Sequence, residues 1–425
     1  MNQPHLVTIE DASKLLNISK DTLRRWDKKK LLRVHRIGSN HRLFELRDLE
    51  MLKNRGESSG EYKILKSKKT KYTVLETFTG AGGMALGFKN AGLQSKICVE
   101  IDKDSVATLR ANHDWEVIHS DIRKVDFTDY KGKFDIVAGG FPCQAFSYAG
   151  KGRGFEDARG TLFYDFARTI KEVEPKIFVA ENVRGLLAHE EGRTLQTILH
   201  VMDSIGYKLT YGVAKSQFFD VPQKRERLFI IGVQKSLDLP FYFPKEKDYT
   251  ISLGSAIDDV PDGPGMTYSE KKKIVMDLIP EGGYWRDLPE EMQKDFMGKS
   301  YYLGGGKTGM ARRLSSKEPS LTLTCNPAQK QTERCHPYET RPLSVREYAR
   351  VQTFPDDWKF VGSVSSQYRQ IGNAVPVNLA YHVGKCLIAM LDNKFDKDSM
   401  VEIEPADAHK FLAGFQMPIE FEEYA

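Results

Sequence analysis

Apolar residues along this chain follow two periods, and the change between them marks out its parts. Near the N-terminus, Thr8 to Leu16 places apolar residues at helical spacing, with Thr8 positioned to cap the helix. Asn17-Ile18-Ser19 is a turn, and Ser19 is placed to cap a second helix over Lys20–Lys30. From Arg33 to Leu46 the pattern alternates like a hairpin about Gly38-Ser39-Asn40, and a further helix starts at Arg47. Asn54 to Lys71 is polar and rich in Gly, Ser and Lys, the composition of a linker. From Tyr72 to Val233, short apolar strands alternate with helical stretches, which predicts an α/β fold with a parallel, doubly wound sheet. That rhythm is lost over 234–340, returns at Arg341, and gives way after 395 to an acidic tail with no assigned role.

Composition narrows the class. The chain has 425 residues, enough for two or three domains, and 40% apolar with 28% charged residues is ordinary for a soluble protein. No uninterrupted apolar run approaches the ~18 residues that cross a bilayer, so no membrane contact is expected. Cysteines 98, 143, 325, 335 and 386 form no Cys-x-x-Cys pair, which argues against zinc and disulfides and predicts a reducing cytoplasm. Residues 1–71 hold 18 Lys+Arg against 9 Asp+Glu, a net +9 that leaves −4 of the chain's +5 for the remainder. A basic head on a near-neutral body suggests a polyanionic partner.

Candidate chemistry collects at strand ends. Strand Val74–Phe78 runs into Thr79-Gly80-Ala81-Gly82-Gly83, where glycines admit a ligand to the backbone at a helix N-terminus. The next strand ends at Glu100, suited to ribose hydroxyls, and the third supplies Asp121, suited to an adenine amino group. These suit an adenosine-containing cofactor without separating NAD from S-adenosyl-L-methionine. Strand Phe134–Val137 is stopped by Gly139-Gly140-Phe141-Pro142, which sets Cys143 on a loop at a strand's carboxyl end. Lys176–Ala180 ends in Glu181-Asn182-Val183, and Val221-Pro222-Gln223-Lys224-Arg225-Glu226-Arg227 precedes strand Leu228–Val233. Arg341-Pro342-Leu343-Ser344 and Gln370-Ile371-Gly372-Asn373-Ala374-Val375-Pro376 follow.

Taken in this order, the blocks resemble the C5-cytosine DNA methyltransferase family over residues 72 to about 391. The head resembles the winged helix-turn-helix of the MerR and excisionase families. These resemblances imply a Rossmann-like methyltransferase domain over 72–233 completed by 341–395, and a smaller target-recognition domain over 234–340. The winged helix-turn-helix over 1–53, the linker over 54–71 and the tail over 396–425 complete the division. They imply methyl transfer from S-adenosyl-L-methionine to C5 of a flipped cytosine in double-stranded DNA. A restriction-modification setting follows, with a partner endonuclease at the same site, a monomeric enzyme, and a cytoplasmic, nucleoid-associated location in a prokaryote.

Residue roles carry over block by block. Cys143 is the nucleophile at C6, Glu181 the donor to N3, and Arg227 the partner of O2, with Arg225 in the same catalytic block. The alternative for Glu181 and Arg227 is a structural ion pair with each other. Phe78, Gly80, Gly82, Gly83, Glu100, Ile101, Asp121, Ile122, Asn373 and Ala374 match cofactor positions; Ile101 stands where an aromatic often stacks on adenine. Gln144 and Ser147 fall in the loop over DNA, and Thr322 matches the Thr-Leu element that anchors recognition loops. Arg312 and Arg313 suit guanine O6 and N7 or a phosphate. Arg24 and Arg25 lie on the head's second helix, which would enter the major groove. RNA cytosine methylation, or a transcription regulator keeping an inactive methylase body, are the competing classes. The head has two uses in view, repressing its own promoter or tethering the enzyme near its targets.

Overall fold

In a computed structural model the residues described are 6–16, 20, 23, 24, 27, 34–37, 41–46, 49, 60–142, 161–302, 304 and 307–406. The head contains β1 (Leu6–Thr8), α1 (Ile9–Leu16), β2 (Val34–Ile37) and β3 (His41–Glu45), with strand order β1-β3-β2, antiparallel throughout. The Thr8 hydroxyl accepts from the Asp11 amide at 3.2 Å, as its place before the helix predicts. Ala12, Leu23, Phe44 and Leu49 form a small core, and Asp27 accepts from both Arg36 and Arg42, tying the second helix to the hairpin. Most of that second helix lies outside the described residues.

The body is built on a seven-stranded sheet. Its strands are β4 (Thr73–Thr77), β5 (Gln94–Glu100), β6 (Glu116–His119), β7 (Ile136–Gly139), β8 (Ile177–Val183) and β9 (Tyr207–Lys215). After a two-residue strand β10 (Gln223–Lys224) comes β11 (Glu226–Gln234), and the sheet order is β6-β5-β4-β7-β8-β11-β9. The helices are α2 (Gly83–Ala91), α3 (Lys103–Asn112), α4 (Leu162–Val173) and α5 (Arg193–Ser204). Alternate residues serve opposite faces: Val74, Ile136, Val179 and Phe229 face one core, Leu75, Val137, Phe178 and Ile230 the other. Burial on both sides explains why the strands read as continuous apolar runs.

One strand departs from the expected parallel sheet. β11 is antiparallel to both β8 and β9. Only residues 216–225 separate it from β9, too few for a crossover of a dozen or more, so the chain turns back on itself.

Residues 245–340 carry short elements, α6 (Leu253–Ile257), α7 (Glu270–Asp277), α8 (Glu290–Met297) and β13 (Ser320–Leu321). α7 and α8 share a core of Tyr268, Met276, Ile279, Trp285, Met297 and Met310, while Leu253, Ala256 and Ile257 of α6 pack into the body. β13 pairs in parallel with β10, which docks this domain onto the body. The chain then returns through α9 (Val345–Val351), α10 (Val364–Asn373) and α11 (Val377–Asp392), and α11 packs on α2 beside the first strand of the sheet. The stretch Val364–Asp392 has a window of mean hydropathy 1.4, enough for a membrane span by composition, but 78% of that window is buried in the fold.

Two sequence expectations are corrected. The acidic tail starts as structure: β14 (Met400–Glu402) pairs antiparallel with β12 (Tyr242–Pro244), and the Ala406 amide donates to the Leu209 carbonyl. The boundary at 234 therefore falls before β12, which belongs to the body. The linker over 54–71 is docked from Gly60 onward. Asn378, wholly buried at the start of α11, accepts from the Leu65 amide at 3.1 Å and donates to the Lys63 carbonyl at 2.8 Å. Tyr62 donates to the Arg350 carbonyl, Ser67 bonds Tyr381, and the Thr70 amide donates to the Gly92 carbonyl. Lys63, Lys66, Lys68 and Lys69 point outward between these anchors, which is why the composition imitates a linker. Asn378→Leu is expected to free this strap, raising its rate of tryptic cleavage at those lysines while the body stays folded. Unchanged cleavage would mean that the remaining contacts suffice.

Candidate active site

The strand ends bring the predicted residues together in two groups. At the first, the chain leaves β4 through Phe78, whose φ of 54° is left-handed and costs a non-glycine residue about 1–3 kcal/mol. Gly80 and Gly82 take φ of 55° and 86°, and beside Gly80 a Cβ would meet nothing within 4 Å, so that side of the loop is open to a ligand. Glu100 is buried at the end of β5 and accepts from the amides of Gly80, Ile101 and Asp102 at 2.7, 2.9 and 2.8 Å. A carboxylate has about four acceptor positions, so room remains for a hydroxyl. Ile101 is 62% exposed beside it, an apolar surface at the strand end, while Ile122 is buried. Asp121 bonds the Arg123 side chain and amide, which holds its carboxyl down at about 2. An adenine amino group would therefore share this acceptor with Arg123.

The late block closes this group from the other side. A Cβ on Gly83 would lie 2.3 Å from the Val375 carbonyl and 3.1 Å from the Ala374 side chain, so glycine lets the two blocks touch. Asn373 is exposed there and its side-chain oxygen accepts from the Cys325 thiol at 3.0 Å. The open loop, the buried ribose-level carboxylate and the exposed apolar side chain fit an adenosine-bearing cofactor.

The second group lies at the ends of β7, β8 and β11. Cys143, Gln144 and Ser147 lie outside the described residues, as does Arg25. The approach to Cys143 is described: Asn182, buried in β8, donates to the Phe141 carbonyl at 2.9 Å and so fixes the backbone two residues before it. Glu181 and Arg227 form an ion pair at 2.7 Å, each with a side chain only 12% exposed. Burial pushes the Glu181 carboxyl up, partly opposed by Arg227 and Arg225, and burial pushes the Arg227 guanidinium down. A Cβ on Gly140 would sit 2.9 Å from the Glu181 carboxylate, so the second glycine of the Gly-Gly pair makes room for it. The pairing anticipated as the structural alternative is therefore present. Arg227 also donates from Nη1 to the Glu226 carbonyl.

Arg225 is only 1% exposed and lies near that pair without joining it. It donates to the carbonyls of Leu323 and Gly372 at 3.3 and 3.0 Å, which corrects its expected catalytic place: it positions rather than touches a base. Gln223 works beside it, donating to Gln352 and accepting from the Leu323 amide, while Gln352 donates to the Ile371 and Ala374 carbonyls. This buried clamp joins the recognition domain to the cofactor block. Sequence reasoning missed Gln223, Gln352 and Asn182 as functional parts; for Gln223, its alternation with Lys224 and Glu226 was the available signal. Thr322 donates to the Lys224 carbonyl at 2.7 Å, pinning the recognition strand. Beside Arg227, a cleft of about 280 Å³ is lined by Arg184, Lys215, Lys224 and Thr322, with a basic character suited to an anionic backbone. A larger groove of about 690 Å³, between Ile257–Thr267 and His336–Glu347, holds none of the predicted site residues, and its acids Asp258, Asp262 and Glu339 would repel DNA.

Residues 72–389 match the family model of the C-5 cytosine-specific DNA methylases, three quarters of the chain. The chain belongs to that family. The methylase is 52% identical over 402 residues to the Type II methyltransferase M.Eco47II of Escherichia coli, covering 91% of this chain and 96% of that one. It is 57% identical to M.PspPI of a Psychrobacter strain, over 76% of this chain and 80% of the relative. A solved structure from E. coli, described as a prophage-encoded DNA modification methyltransferase, superposes with a TM-score of 0.57 at 25% identity, over 76% of this chain and all of that one. Residues 8–44 match the MerR family regulatory protein model, as the head's pattern predicts. The enzyme is thus a DNA cytosine-5 methyltransferase that uses S-adenosyl-L-methionine and acts on DNA.

The recognition arginines need the second correction. All five N–H donors of Arg313 are taken inside the protein, by the carbonyls of Ile279, His336, Glu339 and Met276 and by Thr340. Arg313 is buried and cannot reach a base. Arg312 is half-buried, donates to the Thr308 and Gly282 carbonyls, and lies 4.9 Å over the Tyr284 ring. On the head, Arg24 is exposed. Arg313→Ala is expected to destabilise the methylase by at least about 3 kcal/mol in urea unfolding, because several buried carbonyls lose their donor. A stable variant with relaxed preference at one base position would restore the base-reading role.

Proposed function

We propose that Cys143, Glu181 and Arg227 form the reacting centre for a cytosine turned out of the duplex. The buried Glu181–Arg227 pair at the end of β8 carries the reading, since two ionisable groups held in a dry pocket are poised to meet a polar base rather than water. Extruding the base costs a few kcal/mol, which contacts along the basic cleft would offset. The Cys143 thiolate adds at C6, breaking aromaticity and leaving electron density on C5. Glu181, favoured as the acid by burial, donates to N3, and the Arg227 guanidinium donates to O2, so charge building on the ring is met by both. S-adenosyl-L-methionine, held by Glu100 and the glycine loop with Phe78, Ile101, Asp121 and Asn373 around it, supplies the methyl group. Loss of the C5 proton to a base and expulsion of Cys143 restore the ring.

The names of the relatives favour a Type II restriction-modification setting; we read with it a separate endonuclease that cuts the same sequence, a monomeric enzyme, and work on nucleoid DNA in the cytoplasm. The head is read as a second DNA-binding unit. The deciding experiment follows labelled methyl groups from S-adenosyl-L-methionine into plasmid DNA and into tRNA, with the modified cytosines then mapped. Label at one sequence in DNA is expected; label confined to tRNA, or none, contradicts the reading.

A further inference from the structure

We infer that the N-terminal module works in cis, gripping the duplex held by the recognition domain within about one helical turn of the methylated site. This rests on the head being a DNA-binding unit, as read above. The observation is where the strap begins. The Gly60 amide donates to the Thr250 carbonyl at 3.0 Å, and Gly60 is so close to Tyr249 and Ile251 that a Cβ would lie 2.4 and 2.8 Å from their side chains. Thr250 stands just before α6, at the root of the recognition domain. From there the strap runs past Asn378, at the start of α11, to Gly92 beyond the end of α2, and enters β4. The tether is thus fixed at the segment that leads from the body into the recognition domain.

Length then sets the reach. Leu49 is buried in the head's own core and Gly60 is pinned to the body, so eleven peptide units connect two fixed points. At full stretch these span at most about 40 Å, little more than the roughly 34–36 Å of one DNA turn. The head carries twelve Lys+Arg against seven Asp+Glu over residues 1–53, so the polyanion within reach is the bound duplex itself. A link this short gives the second contact a local concentration in the millimolar range, far above that of any separate operator.

The test compares two duplexes carrying the mapped site, one ending about half a turn beyond it and one extended by about two turns on each side. Three proteins are assayed: the full chain, a form lacking residues 1–57, and the full chain with about thirty Gly/Ser residues inserted between Ser58 and Ser59. The full chain is expected to show a KM about tenfold lower on the long duplex, with a steeper salt dependence. The insertion should shrink that advantage several-fold, since effective concentration falls roughly as the −3/2 power of linker length. The truncated form should methylate both duplexes alike, at the same cytosine and with the full chain's kcat on the short one. Equal KM values for the full chain on the two duplexes, or an advantage that survives truncation or is untouched by the insertion, overturn the inference while leaving the catalytic reading intact. Failure of the full chain to methylate either duplex overturns the catalytic reading and this one with it.

Discussion

Cys143→Ser is expected to lower kcat by on the order of a thousandfold or more, while affinity for DNA and for S-adenosyl-L-methionine stays near that of the wild type. A serine hydroxyl at this position has neither the thiolate's acidity nor its ability to leave after addition at C6. The contacts described at the site, Glu181 with Arg227 and Asn182 with Phe141, do not involve the thiol. The loss should therefore fall on turnover alone, read as kcat in single-turnover assays beside binding isotherms for both ligands. A serine variant that keeps a tenth of wild-type kcat would show that the thiol is not the nucleophile.

Glu181→Gln should cost activity and stability together. The amide keeps a donor for N3 but cannot deliver a proton, so kcat should fall on the order of a hundredfold. Removing the carboxylate also leaves Arg227 buried without its partner, a loss of about 3 kcal/mol in denaturant unfolding. The pH dependence separates the two effects. Burial raises the Glu181 pKa, so its proton is held above the ordinary carboxyl value and is lost as pH rises through the shifted one. Wild-type kcat should thus decline on that alkaline side, and the decline should vanish in Glu181→Gln. The linked stability has the same sign: it is fully present below the unfolded value of about 4.3 and lost as pH rises through the folded one. An unchanged alkaline limb in the variant would remove Glu181 from proton delivery.

Most of the body was legible because its period-2 strands are buried on both faces, which leaves an unambiguous apolar signature, and because the site residues stand where those runs stop. Glu100 and Glu181 stand at or near the ends of such runs and Arg227 near the start of one. What escaped was whatever depended on distant partners. Arg313 read as a base-reading residue from its neighbour Arg312 and its place before Thr322, yet its partners Met276 and Thr340 lie on segments that sequence does not connect. The strap resembled a linker because exposed lysines alternate with its anchors, and the asparagine that holds it is more than three hundred residues away. β11 ran against the parallel rhythm because a short connection, not composition, sets direction. Arg225 and Arg227 look alike in sequence, and only their distant partners separate them, the Leu323 and Gly372 carbonyls for one and Glu181 for the other.

Covalent trapping tests the central claim most directly. A duplex carrying 5-fluorocytosine at the target is incubated with the full chain and S-adenosyl-L-methionine, then resolved under denaturing conditions. Because fluorine at C5 cannot leave as a proton does, addition at C6 becomes irreversible once the methyl group has moved. The account predicts a stable protein–DNA adduct whose DNA-bearing peptide contains Cys143, and none with Cys143→Ala. An adduct mapped to another residue, or one formed equally well by Cys143→Ala, would contradict it.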